Sequence, residues 1–249
     1  MQQEVEMATV IAILVAVFAD RYAQYVPGER LIAGLRSSAW LNTYLFKLTN
    51  LLDKLGIKQN YLVALTTFLP LCIALLLLKL LFGLLFGTIG TFLFIVIALL
   101  YFLGNRYVEP NLTEFVLVHE TSFGVLFWFS ILGPTGALLY WFLVVSKQSL
   151  VVMESSNSSL HVAFVKLHAL AAWIPARITG FLYALVGNFS PGFKAWMGCA
   201  SNPSKQSSQV LQECGEAAVD AATAGDDVRL VARAFVAWVV LSILIVIFK

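Results

Sequence analysis

Charged side chains are scarce in this sequence. Asp, Glu, Lys and Arg make up 12% of its 249 residues, whereas 60% of the residues are hydrophobic. A soluble domain usually carries about 25% charged residues, so this chain has more apolar surface than its own core can hide. We therefore predict an all-α, polytopic bundle that is integral to a membrane, with the lipid bilayer as its first partner.

Several kinds of functional motif are also missing. A net charge of +2, without any dense run of Lys or Arg, excludes a nucleic-acid surface. Cys72, Cys199 and Cys214 form an odd set without a CxxC motif, which indicates neither a disulfide framework nor a metal site. No GxxxxGK[ST] phosphate-binding loop is present. The sequence therefore assigns no catalytic residue and no metal ligand, and the identity of any cofactor stays unknown.

Long apolar runs take the place of those motifs. Crossing the hydrocarbon core requires about 20 apolar residues, because a helix rises about 1.5 Å per residue and the core is about 30 Å thick. We predict about five transmembrane or partial spans in one domain of residues 1–249, with a broken helix near Pro175, because proline lacks an amide hydrogen. The predicted segments cover residues 7–22, 61–81, 84–104, 123–145, 160–188 and 230–248.

The connections between the predicted spans are polar. Residues 23–60 form the most basic connection, which places them in the cytoplasm by the positive-inside rule. Residues 190–228 are rich in Ser, Gln and Ala, and their stretch SSQVLQECGEAAVDAA could form an amphipathic surface helix. The first residues, MQQEVEM, are acidic and unlike a signal peptide, so we expect the first apolar segment to stay as an anchor.

Glycine and proline mark the places where helices bend or approach closely. Gly83 and Gly87 form a GxxxG pair, which is typical of closely packed helices and would suit a homo-oligomer through glycine-containing faces. A simple turn between two spans explains the same pair equally well. Gly133 and Pro134 are predicted to bend the span at 123–145, with a cavity beside the bend.

Two stretches of the sequence resemble a known family. FGVLFWFSILGPTGALLYW (123–141) and WIPARITGFLYALVGNF (173–189) are similar to the signature regions of AmpE, a family of inner-membrane proteins associated with β-lactamase induction in Gram-negative bacteria. That family is similar in turn to the CobD/CbiB membrane synthases of cobalamin biosynthesis. The resemblance implies a multi-pass protein of the bacterial inner membrane with a regulatory or signalling role in the antibiotic response and in the sensing of peptidoglycan recycling.

The positions at which the synthases keep acidic residues differ in this chain. Phe123 replaces the aspartate before the retained Gly124, and His168, Ala169 and Ala172 stand where the synthases have paired aspartates and an asparagine. Because ATP-dependent amide formation needs carboxylates to hold magnesium, the resemblance favours a regulatory protein over an enzyme. An amide-forming synthase of the CobD/CbiB type is the alternative, and a small-solute transporter is the second alternative.

Five side chains are candidates for a ligand site: His119, Glu120, His168, Trp173 and Arg177. We expect an anionic partner for Arg177, because an unpaired charge within apolar sequence is costly. Glu120, a lipid or ligand phosphate, or water could supply it. The five residues are predicted to line one pocket for an anionic small molecule, either a nucleotide or a peptidoglycan-derived compound. The ordinary interpretation is that His119 and Glu120 mark the headgroup boundary and that Arg177 reaches out to the headgroups.

Overall fold

The protein is a bundle of helices. The computed structural model describes residues 2–23, 39–54, 61–103, 112–152, 159–219 and 226–248, and all regular structure within these ranges is helical. The helices are α1 (Gln2–Ala23), α2 (Ala39–Lys54), α3 (Tyr61–Phe102), α4 (Glu114–Leu132), α5 (Pro134–Val152), α6 (Ser159–Val186), α7 (Phe189–Ala200), α8 (Ser207–Ala218) and α9 (Asp226–Ile247). Residues Thr66–Phe102 of α3, and the helices α4, α6 and α9, are long and apolar enough to cross a membrane. The predicted all-α membrane bundle is confirmed.

Helix α6 lies at the centre of the bundle and packs against α5, α7, α8 and α9. Large aromatic side chains fill the core around it, and Trp238 of α9 stacks on Phe123 of α4 with a centroid distance of 5.7 Å. Helix α3 behaves differently, because Leu84 is 75% exposed and Ile89 is 70% exposed. Such apolar surface suits lipid contact, since acyl chains are as apolar as these side chains.

Helix α3 folds back on itself at Gly87. The backbone of Gly87 has φ 59° and ψ −140°, a conformation that side chains rarely permit. The rings of Phe82 and Phe94 lie 5.8 Å apart, whereas residues at that spacing in a straight helix would be about 18 Å apart. Gly83 packs beside Thr91 in the returning arm. The GxxxG pair therefore serves a turn and a close approach within one hairpin, and the break lies at Gly87 rather than between residues 81 and 84.

A second hairpin of the same kind joins α4 to α5 at Gly133. Gly133 has φ 67° and ψ −151°. Three residues later, a Cβ on Gly136 would lie 2.1 Å from the carbonyl oxygen of Trp128, so only glycine fits there. Gly90 has the same relation to Phe82 in the first hairpin, again 2.1 Å. Both hairpins thus carry a Gly-x-x-Gly sequence, in which the first glycine turns the chain and the second admits the opposing backbone.

The single span predicted at residues 123–145 is wrong. Residues on either side of Gly133 belong to antiparallel helices, and Gly124 lies directly against the ring of Tyr140. Pro134 begins α5, where its missing amide hydrogen is not needed by the helix. The hydropathy of the run is continuous, so only the φ of Gly133 and the close contact at Gly136 distinguish a hairpin from a bend.

The predicted break of the fifth span near Pro175 is absent, because α6 continues as one helix from Ser159 to Val186. Pro175 cannot donate to the carbonyl of Ala171, four residues earlier. The indole Nε1 of Trp128 donates a hydrogen bond to this carbonyl over 3.0 Å. A side chain of α4 therefore replaces the missing backbone donor, which allows α6 to pass through proline without breaking.

The two predicted connecting loops are partly helical. Within 23–60, α2 packs onto the bundle through Leu41 and Leu45, both fully buried, and Trp40 stacks on Trp141 at 6.0 Å. Within 190–228, α7 and α8 form a helical pair, and α8 occupies the stretch expected to be amphipathic. Residues 24–38, 55–60 and 220–225 lie outside the described residues.

Substitution of the second glycine should destabilise each hairpin. We expect Gly136→Ala and Gly90→Ala to lower stability by about 1–3 kcal/mol each, because the new methyl group forces the two arms apart. This corresponds to a Tm decrease of about 2–4 °C per kcal/mol, measured on purified protein in lipid nanodiscs. Gly198→Ala is the control, since nothing lies within 4 Å of its Cβ position. An unchanged Tm in both hairpin variants would contradict the close approach.

Trp128→Phe should cost more stability when Pro175 is present than when it is replaced by alanine. We expect a loss of about 1 kcal/mol in the native background, because the Ala171 carbonyl is then left unpaired. In a Pro175→Ala background the restored amide supplies the hydrogen bond, so the same Trp128→Phe change should cost markedly less. The double-mutant cycle is read from the Tm of the four proteins. Equal losses in both backgrounds would show that Trp128 does not compensate for the proline.

Candidate functional site

Glu120 lies on an irregular turn inside α4. Residues His119–Phe123 form a π-helical turn between two α-helical segments, and such turns occur frequently at functional sites. His119 is fully buried and Glu120 is 7% exposed, although neighbouring residues on an α-helix point about 100° apart. The turn therefore directs two consecutive ionisable side chains into the bundle.

The carboxylate of Glu120 is paired with two basic side chains from other helices. Its Oε2 lies 3.3 Å from Nζ of Lys147 on α5 and 3.0 Å from Nε2 of His168 on α6. We call these three residues the Glu120 cluster. Lys147 is its most accessible member, since 22% of its side chain is exposed. The pairing satisfies a charge that lipid would not tolerate alone, and it joins α4, α5 and α6 at one point.

His119 is held by a hydrogen-bond junction at Thr179 of α6. The Thr179 hydroxyl donates to the carbonyl of Pro175 at 2.7 Å and accepts from Nε1 of Trp238 at 3.0 Å. His119 Nδ1 lies 3.2 Å from the same hydroxyl oxygen. Because the single hydroxyl hydrogen is already used, Nδ1 must carry the hydrogen and donate it. The junction thus connects α4, α6 and α9 and fixes the tautomer of His119.

Arg177 and Trp173 lie in a different part of the molecule. His168 and Arg177 are nine residues apart on α6, which places them on opposite faces and about 14 Å apart along the axis. The guanidinium group of Arg177 stacks over the Trp173 ring at 4.0 Å. The structure therefore brings together His119, Glu120 and His168, and it does not place Trp173 and Arg177 in the same pocket.

The partners of Arg177 are backbone carbonyls. Its Nη2 donates to Asn202 over 3.2 Å, and to Pro203 and Lys205 over 3.5 Å each. Trp173 Nε1 donates to the Pro203 carbonyl as well, over 3.1 Å. Of the partners considered for Arg177, Glu120 is not the one used, because carbonyls after α7 accept the hydrogen bonds of the guanidinium group instead. Arg177 therefore fastens the connection between α7 and α8 to α6.

Polar groups outside the spans complete this α7–α8 region. Lys205 bonds to Glu213, and that hydrogen bond raises the pKa of Lys205. Burial raises the pKa of the Cys214 thiol to about 12, so it stays protonated at neutral pH and packs with Cys199. Among the described residues, no group of three or more His, Cys, Asp or Glu side chains is placed to hold a metal ion.

Comparison with known proteins adds one finding to this geometry. A family described as "Regulatory signalling modulator protein AmpE" matches residues 117–248, which is more than half of the chain. The chain belongs to the AmpE family. No curated protein and no solved structure matches it. The AmpE match begins at Leu117, so the whole Glu120 cluster and the Thr179 junction lie inside the family region. With four membrane-capable helices among its described residues, this AmpE-family chain is a regulatory membrane protein.

Sequence reasoning missed Lys147, Thr179 and Trp238 as parts of this candidate site. A signal for Lys147 exists in the sequence: Glu120 and Lys147 lie 13 residues before and 14 residues after Gly133. Once the chain reverses at Gly133, the two side chains face each other. Thr179 and Trp238 carry no comparable signal, because their contacts depend on how α9 packs against α4 and α6.

Arg177→Lys should loosen the α7–α8 connection without disturbing the Glu120 cluster. A lysine cannot reach three carbonyls or stack flat on Trp173. We expect trypsin to cleave after Lys205 about five-fold faster or more, since 1–2 kcal/mol of local stability corresponds to a factor of about 5–30. Arg233→Lys is the control, because Arg233 donates to one carbonyl, that of Val186, at 3.4 Å. Equal cleavage rates in the two variants would contradict the fastening role.

Proposed function

We propose that this AmpE-family chain acts in the bacterial inner membrane in the signalling that accompanies β-lactamase induction and the sensing of peptidoglycan recycling. The observation that carries the proposal is the Glu120 cluster, a buried ion group within the family-matched region. Ionisable residues inside membrane segments are expensive and are kept mainly for function. The cluster is therefore the element in which we expect a signal to change the bundle.

The cluster suits a two-state element because its three members come from three helices. Removing one partner of a buried ion pair leaves the others uncompensated, so any ligand that engages one member favours a different arrangement of the helices. A ligand shifts an equilibrium only through such differential contacts. We propose that the shift separates α4 from α5 or α6 at Glu120.

An anionic ligand would act first on Lys147. This side chain is the most exposed of the cluster, and an anion bound to its ammonium group would compete with the Glu120 carboxylate. His168 is the second cation available when protonated. Arg177 is less suited to this task, because several carbonyls already accept its hydrogen bonds. We therefore propose the anion site at Lys147 and His168 rather than at Arg177.

Glu120→Gln and Lys147→Met should uncouple the protein from its response. In cells with an inducible chromosomal β-lactamase, we expect each variant to change the induction ratio by about five-fold or more, the range of a coupling free energy of 1–3 kcal/mol. The measurement is β-lactamase activity with and without inducer at equal membrane abundance of the variant. Glu114→Gln is the control, because Glu114 is an exposed carboxylate at the start of the same helix. Native induction ratios in both cluster variants would refute the proposal.

Ligand binding is tested on purified protein in nanodiscs with two probes, a peptidoglycan-derived muropeptide and a nucleoside diphosphate. A probe at 100 times its Kd should stabilise the native protein by about 2.7 kcal/mol. We expect the resulting Tm increase to disappear in Lys147→Met and to persist in Arg177→Lys. The reverse pattern would move the anion site to Arg177.

A further inference from the structure

One ring nitrogen of His119 lacks a hydrogen-bond partner in the part of the chain that the structure describes. Nδ1 donates to Thr179, so the neutral ring carries a free lone pair on Nε2. This Nε2 is fully buried and has no hydrogen-bond partner among the described residues. Buried polar groups are nearly always paired. An unpaired acceptor beside the Glu120 cluster is therefore a feature that requires an explanation.

We propose that His119 is a proton-binding site, and that proton uptake at Nε2 releases Lys147 from Glu120. The proposal rests on the proposed function, since it names a proton as one input to the Glu120 cluster. The step is balanced: a proton from solvent forms one N–H bond with the Nε2 lone pair, no bond breaks, and the ring gains one positive charge. Release of the proton reverses the step.

The groups around His119 determine which side chain compensates the positive charge of the protonated ring. The titratable groups that face it are Glu120 on its own helix, Tyr140 and Lys147 on α5, and His168 on α6. From α9 the facing group is the Trp238 indole at the Thr179 junction, and the acidic and basic residues of α9 lie among its first eight residues. Glu120 is the nearby carboxylate in this set, so it is the group to which a charged His119 turns.

Charge balance then predicts the rearrangement. With His119 neutral, the Glu120 carboxylate is paired with Lys147 and His168. A charged His119 competes for the same carboxylate, which makes the pairing with Lys147 dispensable. Lys147 is partly exposed already, so it can turn to the surface at small cost. The cation that leaves the cluster is thus the one that connects α5 to α4.

The π-helical turn at His119–Phe123 gives α4 a means of moving. A π turn contains one residue more than an α turn, and its displacement along the helix rotates the side chains that it passes by about 100°. Rotation of this size carries Nδ1 of His119 away from Thr179. Proton binding is therefore expected to weaken two contacts together, the Thr179 junction and the Lys147 pairing, which connect α4 to different neighbours.

The chain contains only three histidines, which makes the proposal directly testable. Protein labelled with ¹⁵N-histidine is placed in nanodiscs, and its ring nitrogen resonances are followed while the pH is lowered. The variants His161→Asn and His168→Asn assign the signals. We expect His119 to show the Nδ1–H tautomer near neutral pH and to shift to the doubly protonated form on acidification, together with faster amide exchange at residues 117–123. A ring that stays neutral until the protein unfolds would overturn the proposal, and so would charging without any change in exchange.

His119→Asn separates proton binding from simple packing. The asparagine amide can still donate to Thr179 in place of Nδ1, but it cannot take up a proton. We expect this variant to keep the native Tm at neutral pH and to lose the acid-dependent rise in amide exchange. A native acid response in His119→Asn would overturn the proposal. The result is independent of the induction assay, because a Glu120→Gln chain that signals normally would refute the proposed function and leave this titration unaffected.

Discussion

A carboxylate inside a lipid-spanning bundle needs basic or hydrogen-bonding partners beside it, and the helices of this protein meet where that need is satisfied. Glu120 is paired with Lys147 of α5 and with His168 of α6. Because each helix supplies one member, separating α4 from α5 or α6 at this level removes one basic partner from the buried Glu120 carboxylate, which is costly. The ion group therefore fixes the relative positions of α4, α5 and α6, and it is also the place where a change of charge acts on all three.

The same requirement applies to backbone groups, and it explains two features that otherwise look unusual. Pro175 leaves the Ala171 carbonyl without a donor, and the Trp128 indole supplies one. The carbonyls of Asn202 and Pro203 lie beyond the end of α7, and the Arg177 guanidinium donates hydrogen bonds to both. In each case a side chain from one helix completes the hydrogen bonding of another segment, so local irregularity becomes a tertiary contact.

Two tight hairpins supply the geometry on which these contacts depend. The Gly-x-x-Gly sequences at Gly87 and Gly133 each let helical arms reverse direction and touch, because a methyl group at the second glycine would collide with the opposing backbone. Reversal at Gly133 brings Lys147 back to Glu120. The arms at Gly87 remain largely exposed, which suits lipid. The hairpin at Gly133 lies within the AmpE-family match and the one at Gly87 lies before it.

The sequence by itself determined the environment of the protein, a lipid bilayer, and its fold class, all-α. Its shortage of charge and its long apolar runs predicted helices in lipid, because only helical backbone satisfies its own hydrogen bonds there. Its signature stretches indicated the AmpE family, and the few polar side chains beside or within its apolar runs gave five candidates: His119, Glu120, His168, Trp173 and Arg177. Tertiary structure decided which of these residues meet. Hydropathy does not distinguish a bend from a reversal at Gly133, since both leave the apolar run intact. His168 and Arg177 both lie within the apolar sequence of α6, so both were expected to face the inside of the bundle. Because they are nine residues apart, the helix places them on opposite faces. The pairing of Glu120 with Lys147 rather than Arg177 follows from those two facts, because a charge pairs with the partner that the packed backbone places within reach.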